Sequence, residues 1–213
     1  MGSFFEKATL EAASISYFEL KNYEAAKTYF SAVIANAANA ENTLEALRGL
    51  VRTYYQLKDY STANEAAKDL LSRKGISTDD KAIASLVLGK SQQLGNDCNG
   101  AISSFKSVAA VNKSSWGAEA RYEVAHCYFD MGNLSMAEKS AMKVIKETGS
   151  DYWITKAYIL LGDIFMQQKD YFNAKATYQS VAANSGIPEL KSEASQKLER
   201  AIAEEKQNSK IAD

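Results

Sequence analysis

Five alanines organise this chain. Ala26, Ala63, Ala101, Ala137 and Ala174 stand in similar surroundings at separations of 37, 38, 36 and 37 residues. A self-similar period of about 20–50 residues marks a stack of small supersecondary units. The likeness shows first in Asn22-Tyr23-Glu24-Ala25-Ala26, Asp59-Tyr60-Ser61-Thr62-Ala63 and Asp170-Tyr171-Phe172-Asn173-Ala174. Rows not used in the alignment agree with it. Thirteen residues before the anchor stand Ala13, Leu50, Leu88, Val124 and Leu161; twelve before, Ser14, Val51, Gly89, Ala125 and Gly162; nine before, Tyr17, Tyr54, Gln92, Tyr128 and Phe165. Four after stand Phe30, Ala67, Phe105, Ala141 and Tyr178, and seven after, Val33, Leu70, Val108, Val144 and Val181.

Offsets of thirteen, twelve and nine before the anchor form one helical stripe, and the anchor with its plus-four and plus-seven partners forms another. Each copy therefore reads as a helical hairpin, turned at Lys21-Asn22, Lys58-Asp59, Gly95-Asn96-Asp97, Gly132-Asn133 and Lys169-Asp170. Composition agrees. One proline and 11 glycines in 213 residues is too few for a sandwich, a barrel or a loop-rich enzyme, so the class is all-α.

With 25 basic and 26 acidic residues the net charge is −1, which supplies no bulk attraction to nucleic acid. No stretch reaches the ~18–20 apolar residues of a membrane span, so direct membrane insertion is not expected. Cys98 and Cys127 form neither a zinc motif nor a disulfide framework and read as free thiols. Catalysis needs a nucleophile, base or metal in fixed geometry. The single histidine, His126, removes most such schemes, and its i,i+4 neighbour Asp130 reads as an ordinary surface partner. No nucleotide-binding, metalloprotease or nucleophile-elbow motif occurs, so no catalytic residue, metal ligand or cofactor is expected. Asp79-Asp80 after Ser77-Thr78 reads as a helix start.

The order small, aromatic, turn with Tyr, Ala, aromatic, aliphatic resembles the tetratricopeptide repeat. Leu88-Gly89 and Leu161-Gly162 carry its Leu-Gly element, and Tyr17, Tyr54 and Tyr128 the following aromatic. The resemblance spans about residues 7–186, with two departures from the family's period of about 34 residues: the spacing is longer, and the closing proline is absent from every copy unless Pro188 serves. It implies an α-α superhelix of hairpins: repeats at about 7–41, 42–79, 80–115, 116–151 and 152–187, a capping helix at 188–207 and a tail at 208–213. The cap's stripe is Leu190, Ala194, Leu198, Ala201 and Ile202. Runs such as Ser115-Trp116-Gly117-Ala118-Glu119-Ala120-Arg121-Tyr122 are similar to longer-period repeat proteins of Gram-negative envelopes, which implies a periplasmic parent chain. Met1 to Ser3 then read as a cloning remnant on a piece of a longer protein; the alternative is a short natural cytoplasmic protein.

In this repeat class the first helix of each hairpin lines a concave groove, which places the exposed stripe fifteen, eleven and eight residues before the anchor. The resemblance thus assigns Arg48, Arg52, Tyr55, Lys90, Tyr122, His126 and Phe129 to a groove for a protein or peptide with acidic and apolar side chains. The alternative for Tyr55, Tyr122 and Phe129 is packing between repeats. The Lys and Asn clamp for chaperone tails is not met. At the amino end Phe4, Phe5 and Leu10 open the first helix uncapped, so they are expected to pack on another repeat or on a second copy, giving a homodimer. The expected function is a non-catalytic interaction scaffold; the competing reading is a structural end segment or self-association module with an empty groove.

Overall fold

The computed structural model describes residues 3–36, 38–112 and 114–211, so Met1 and Gly2 of the expected remnant and Ala212 and Asp213 of the expected tail lie outside it. Among the described residues there are eleven helices and no strand. They are α1 (Ser3–Phe18), α2 (Tyr23–Asn36), α3 (Ala40–Leu57), α4 (Tyr60–Ser72), α5 (Thr78–Leu94), α6 (Cys98–Val111), α7 (Ser115–Asp130), α8 (Leu134–Glu147), α9 (Asp151–Gln167), α10 (Tyr171–Asn184) and α11 (Pro188–Ile211). The chain divides into two compact units, Met1–Asn112 with α1–α6 and Lys113–Asp213 with α7–α11. Within each, sequential helices pack as antiparallel hairpins and neighbouring first helices also touch: α1 with α3 and α3 with α5, then α7 with α9 and α9 with α11.

All five hairpin turns share one construction. The residue five before the anchor alanine takes a left-handed backbone: Lys21, Lys58, Asn96, Gly132 and Lys169, with φ between 52° and 72°. The next residue is always Asn or Asp, and its side chain accepts the backbone N–H three residues on. The pairs are Asn22 with Ala25, Asp59 with Thr62, Asp97 with Gly100, Asn133 with Met136 and Asp170 with Asn173. The left-handed residue ends the first helix and the capping side chain starts the second, because each satisfies backbone groups that a helix end leaves open.

The anchor alanines are fully buried in all five copies, and the plus-four and plus-seven rows are buried throughout. Size is exchanged across each hairpin. Gly89 faces the ring of Phe105 and Gly162 that of Tyr178, so closely that a methyl group on either glycine would enter the ring. Where the plus-four residue is alanine, at Ala67 and Ala141, the row twelve before the anchor enlarges to Val51 and Ala125. Phe30 instead seats on Gly49 of the following hairpin. In α11, Leu190, Ala194 and Ala201 are buried, whereas Ile202 is half exposed and falls off the expected stripe.

Gly89→Val is expected to cost about 2–3 kcal/mol by overpacking and Phe105→Ala about 3–5 kcal/mol by cavity formation. The double variant, which copies the Val51 and Ala67 pair, should cost clearly less than the sum of the two. Urea unfolding of the four proteins in a double-mutant cycle measures this; strict additivity would show that the two positions do not exchange volume.

Candidate functional site

The expected cations of the first unit face inward. Arg48 and Arg52 lie one turn apart on α3 and converge on Asp80 at the start of α5. Arg48 Nε donates to Asp80 Oδ2 at 2.8 Å and an Arg52 Nη to Oδ1 at 2.8 Å. Asp80 also closes a capping box: its backbone N–H donates to the Ser77 hydroxyl at 3.0 Å, and its carboxylate accepts the Ser77 N–H at 3.2 Å. The carboxylate is nearly wholly buried. Burial pushes its pKa up, but the hydrogen bonds from Ser77 and Arg52 and the Arg52 charge outweigh that and hold it below the ordinary carboxylate value. Glu45 pairs with Arg48 from the open side at 3.2 Å. Two guanidiniums therefore meet two carboxylates before any ligand arrives.

Beside this cluster lies a half-open crevice of about 510 Å³, bounded by Tyr17 and Phe18 of α1, Phe30 of α2, Arg48 and Arg52 of α3 and Asp80 of α5. Tyr55 and Lys90 meet at a third residue, Tyr60: the Tyr55 ring stands edge-on to it at 6.4 Å, and Lys90 Nζ lies 5.9 Å from its centroid. The structure thus groups Arg48 with Arg52, and Tyr55 with Lys90.

In the second unit Tyr122 departs from the expected open stripe. It is 7% exposed, with its ring 5.3 Å from that of Trp153 on α9 and Lys156 Nζ 5.7 Å from its centroid. Burial drives its hydroxyl pKa far above the ordinary tyrosine value. Leu86 and Ile159, fifteen residues before their anchors like Tyr122, are buried too. For Tyr122 the cause is α9, which covers that flank of α7, and for Ile159 it is α11, which covers the same flank of α9. His126 pairs with Asp130 at 2.9 Å on the same helix, and its ring lies 6.3 Å from that of Phe129. Phe129 is half-buried and borders a crevice of about 390 Å³ with Met166, Asp163, Tyr178 and Lys197.

Sequence reasoning missed the link inside that crevice. Lys197 Nζ of α11 reaches both Asp163 oxygens, at 2.6 and 2.8 Å, and the Tyr178 hydroxyl donates to Oδ1 at 2.6 Å. A signal was present: Lys197 falls at heptad spacing among Leu190, Ala194 and Ala201, where an unpartnered lysine would be costly. At the amino end Phe4 is 88% exposed, Phe5 is exposed and Leu10 is half-buried; later helices leave the two phenylalanines uncovered. Among the described residues no group of three or more His, Cys, Asp and Glu is placed to hold a metal ion, and no helix is long and apolar enough to cross a membrane.

Two family models match the sequence, both described as tetratricopeptide repeat: one at residues 118–150 and 155–183, the other at 10–40. No curated protein sequence matches the chain. Among solved structures it is similar to MamA, with TM-score 0.61 and 18% identity over 96% of this chain and 94% of that one. It is also similar to TTC0263, a thermophilic TPR protein of Thermus thermophilus, with TM-score 0.56 and 20% identity over 91% and 98%. A third similar structure is BtubC from P. vanneervenii, with TM-score 0.56 and 14% identity over 97% and 89%. At these identities the likeness is one of fold.

Asp80→Asn is expected to destabilise the first unit by about 2 kcal/mol, since removing one member of a buried pair costs about 3–5 kcal/mol and the partly exposed guanidiniums recover some of that in water. Because folding depresses the Asp80 pKa, its contribution is present above the ordinary carboxylate value and is lost as pH falls through the folded-state value. Denaturant midpoints measured between neutral and acid pH should therefore converge for wild type and variant as the pH drops.

Proposed function

Because this chain is built of tetratricopeptide repeats, we propose that it is a non-catalytic scaffold that holds a protein or peptide segment against the first helices of its repeats. The observation that carries this is the crevice of about 510 Å³ beside α1 and α3, which has aromatic walls at Tyr17 and Phe18 and guanidinium edges at Arg48 and Arg52. A concave recess with apolar walls and a few polar groups at its border is the form that binding sites take. Aromatic and arginine side chains together supply most of the affinity at protein interfaces.

The occupant is a segment that places a large apolar side chain in the crevice and an acidic residue beside it. Apolar burial dominates, because Asp80 and Glu45 already meet the two arginines. Burying one such side chain contributes about 1.5–3 kcal/mol, and the acidic neighbour adds orientation more than strength. Tyr55 and Lys90 continue the same row of first helices along α3 and α5 and extend the contact.

A displayed library of random peptides, panned on the folded chain, tests the reading. Selected peptides should be enriched in apolar-acidic pairs and should lose about tenfold in affinity with Tyr55→Ala or Lys90→Glu. Lys139→Glu, on the exposed face of α8, should leave binding unchanged. Failure to select any binder, or binders indifferent to the first-helix variants, would reject the groove.

A further inference from the structure

The two carboxylates that meet Arg48 are held very differently. The Asp80 side chain is 4% exposed, and its carboxylate accepts from Arg48 Nε, from an Arg52 Nη and from the Ser77 N–H. Glu45 lies three residues before Arg48 on α3, its side chain 62% exposed, and meets an Arg48 Nη at 3.2 Å. Removing Asp80 from its place would strand two guanidiniums, at high cost. An exposed pair such as Glu45 with Arg48 contributes little and opens readily. Both pairs border the crevice beside Tyr17 and Phe18. Arg48 and Arg52 are there balanced by Glu45 and Asp80, so the lining carries no net charge with Glu45 and a positive one without it.

We propose that Glu45 is the specificity-determining residue of this crevice: its carboxylate stands on Arg48 where the carboxylate of an acidic ligand residue would stand, and that ligand displaces it. The inference rests on the crevice being the binding site, as read above. In the wild-type chain one ion pair is exchanged for another, so an acidic ligand gains little over its uncharged amide. Selection there falls on the apolar side chain. Without the Glu45 carboxylate, a guanidinium edge that is only 26% exposed is left for the ligand, and charge-assisted hydrogen bonds to it then favour the acid. Glu45 thereby keeps the crevice from becoming a general receptor for acidic segments.

Two capped dipeptides serve as probes, one of aspartate and phenylalanine and one of asparagine and phenylalanine, titrated into the full chain by NMR. The readouts are the amides of Tyr17 and Phe18 and the Arg48 Nε–H. The wild type should prefer the aspartate probe by no more than about twofold. Glu45→Gln and Glu45→Ala should each raise that preference to about fivefold or more, the gain should shrink as salt is raised, and the aspartate probe should now shift the Arg48 Nε–H more than the asparagine probe does. Glu65→Gln is the control, because Glu65 makes an equivalent i,i+3 pair at 3.2 Å with Lys68 on α4, away from the crevice; it should behave as wild type. Helical circular dichroism should be retained throughout. If the asparagine probe still shifts Tyr17 and Phe18 but the preference is the same with and without Glu45, the crevice stands as a binding site and the role of Glu45 is overturned. A preference raised equally by Glu65→Gln would assign the effect to overall charge and overturn it as well. If neither probe shifts Tyr17 or Phe18 in any of the proteins, the crevice reading falls and the role of Glu45 falls with it.

Discussion

Everything in the two units depends on how closely the two helices of a hairpin approach. The anchor alanines bury their whole surface at these crossings, and a larger side chain there would force the helices apart at a cost of about 1–3 kcal/mol. Close approach sets the volume left for the plus-four row, which is why glycine twelve before the anchor accompanies an aromatic ring and valine or alanine accompanies alanine. The turn must then return the chain at that separation in very few residues. A left-handed residue followed by a capping Asn or Asp achieves this in all five copies. Three of the left-handed positions are lysines, and the fold accepts that strain because the flanking helices over-determine the turn.

Between hairpins the first helices are joined by polar links as well as by apolar packing. Glu6 of α1 accepts from Asn42 of α3, Asp80 of α5 holds Arg48 and Arg52 of α3, and Lys197 of α11 holds Asp163 of α9. Each link buries a charge in whole or part and meets it with well-placed donors or acceptors. Such links add little net stability, since desolvation offsets much of the attraction, but removing one member is costly. Their effect is on alignment: a first helix that slips by a turn leaves a carboxylate without its donors.

What was legible in the sequence follows from what a helix dictates by itself. The buried rows at Ala26, Val33 and their equivalents were readable because a 3.6-residue period identifies an inward face whatever lies beyond it. The breaks at Lys58-Asp59 and Lys169-Asp170 were readable because polar pairs interrupt the pattern there. The inward turn of Tyr122 was not, because it depends on Trp153, 31 residues on, occupying the adjacent first helix. Nor was the pairing of Arg48 and Arg52, since a guanidinium on an exposed stripe and one aimed at a neighbouring helix have the same spacing on their own helix. Phe4 and Phe5 stand exposed in the first turn of α1, where the later helices do not reach them.

The row eleven residues before the anchor shows why charge in a repeat is a poor guide to ligand charge. It carries Arg52 in α3 and Asp163 in α9, opposite in sign at equivalent places. Each is completed from the next first helix, by Asp80 and by Lys197. In these two copies a polar link joins neighbouring first helices, and its sign differs because the neighbour supplies the opposite one. A cation such as Arg52 in this row therefore points first to an anion on the next first helix, and only then to a ligand. For a stack of repeats this inverts the usual inference from surface charge to partner. Sign is used first inside the array, in the links that align neighbouring first helices.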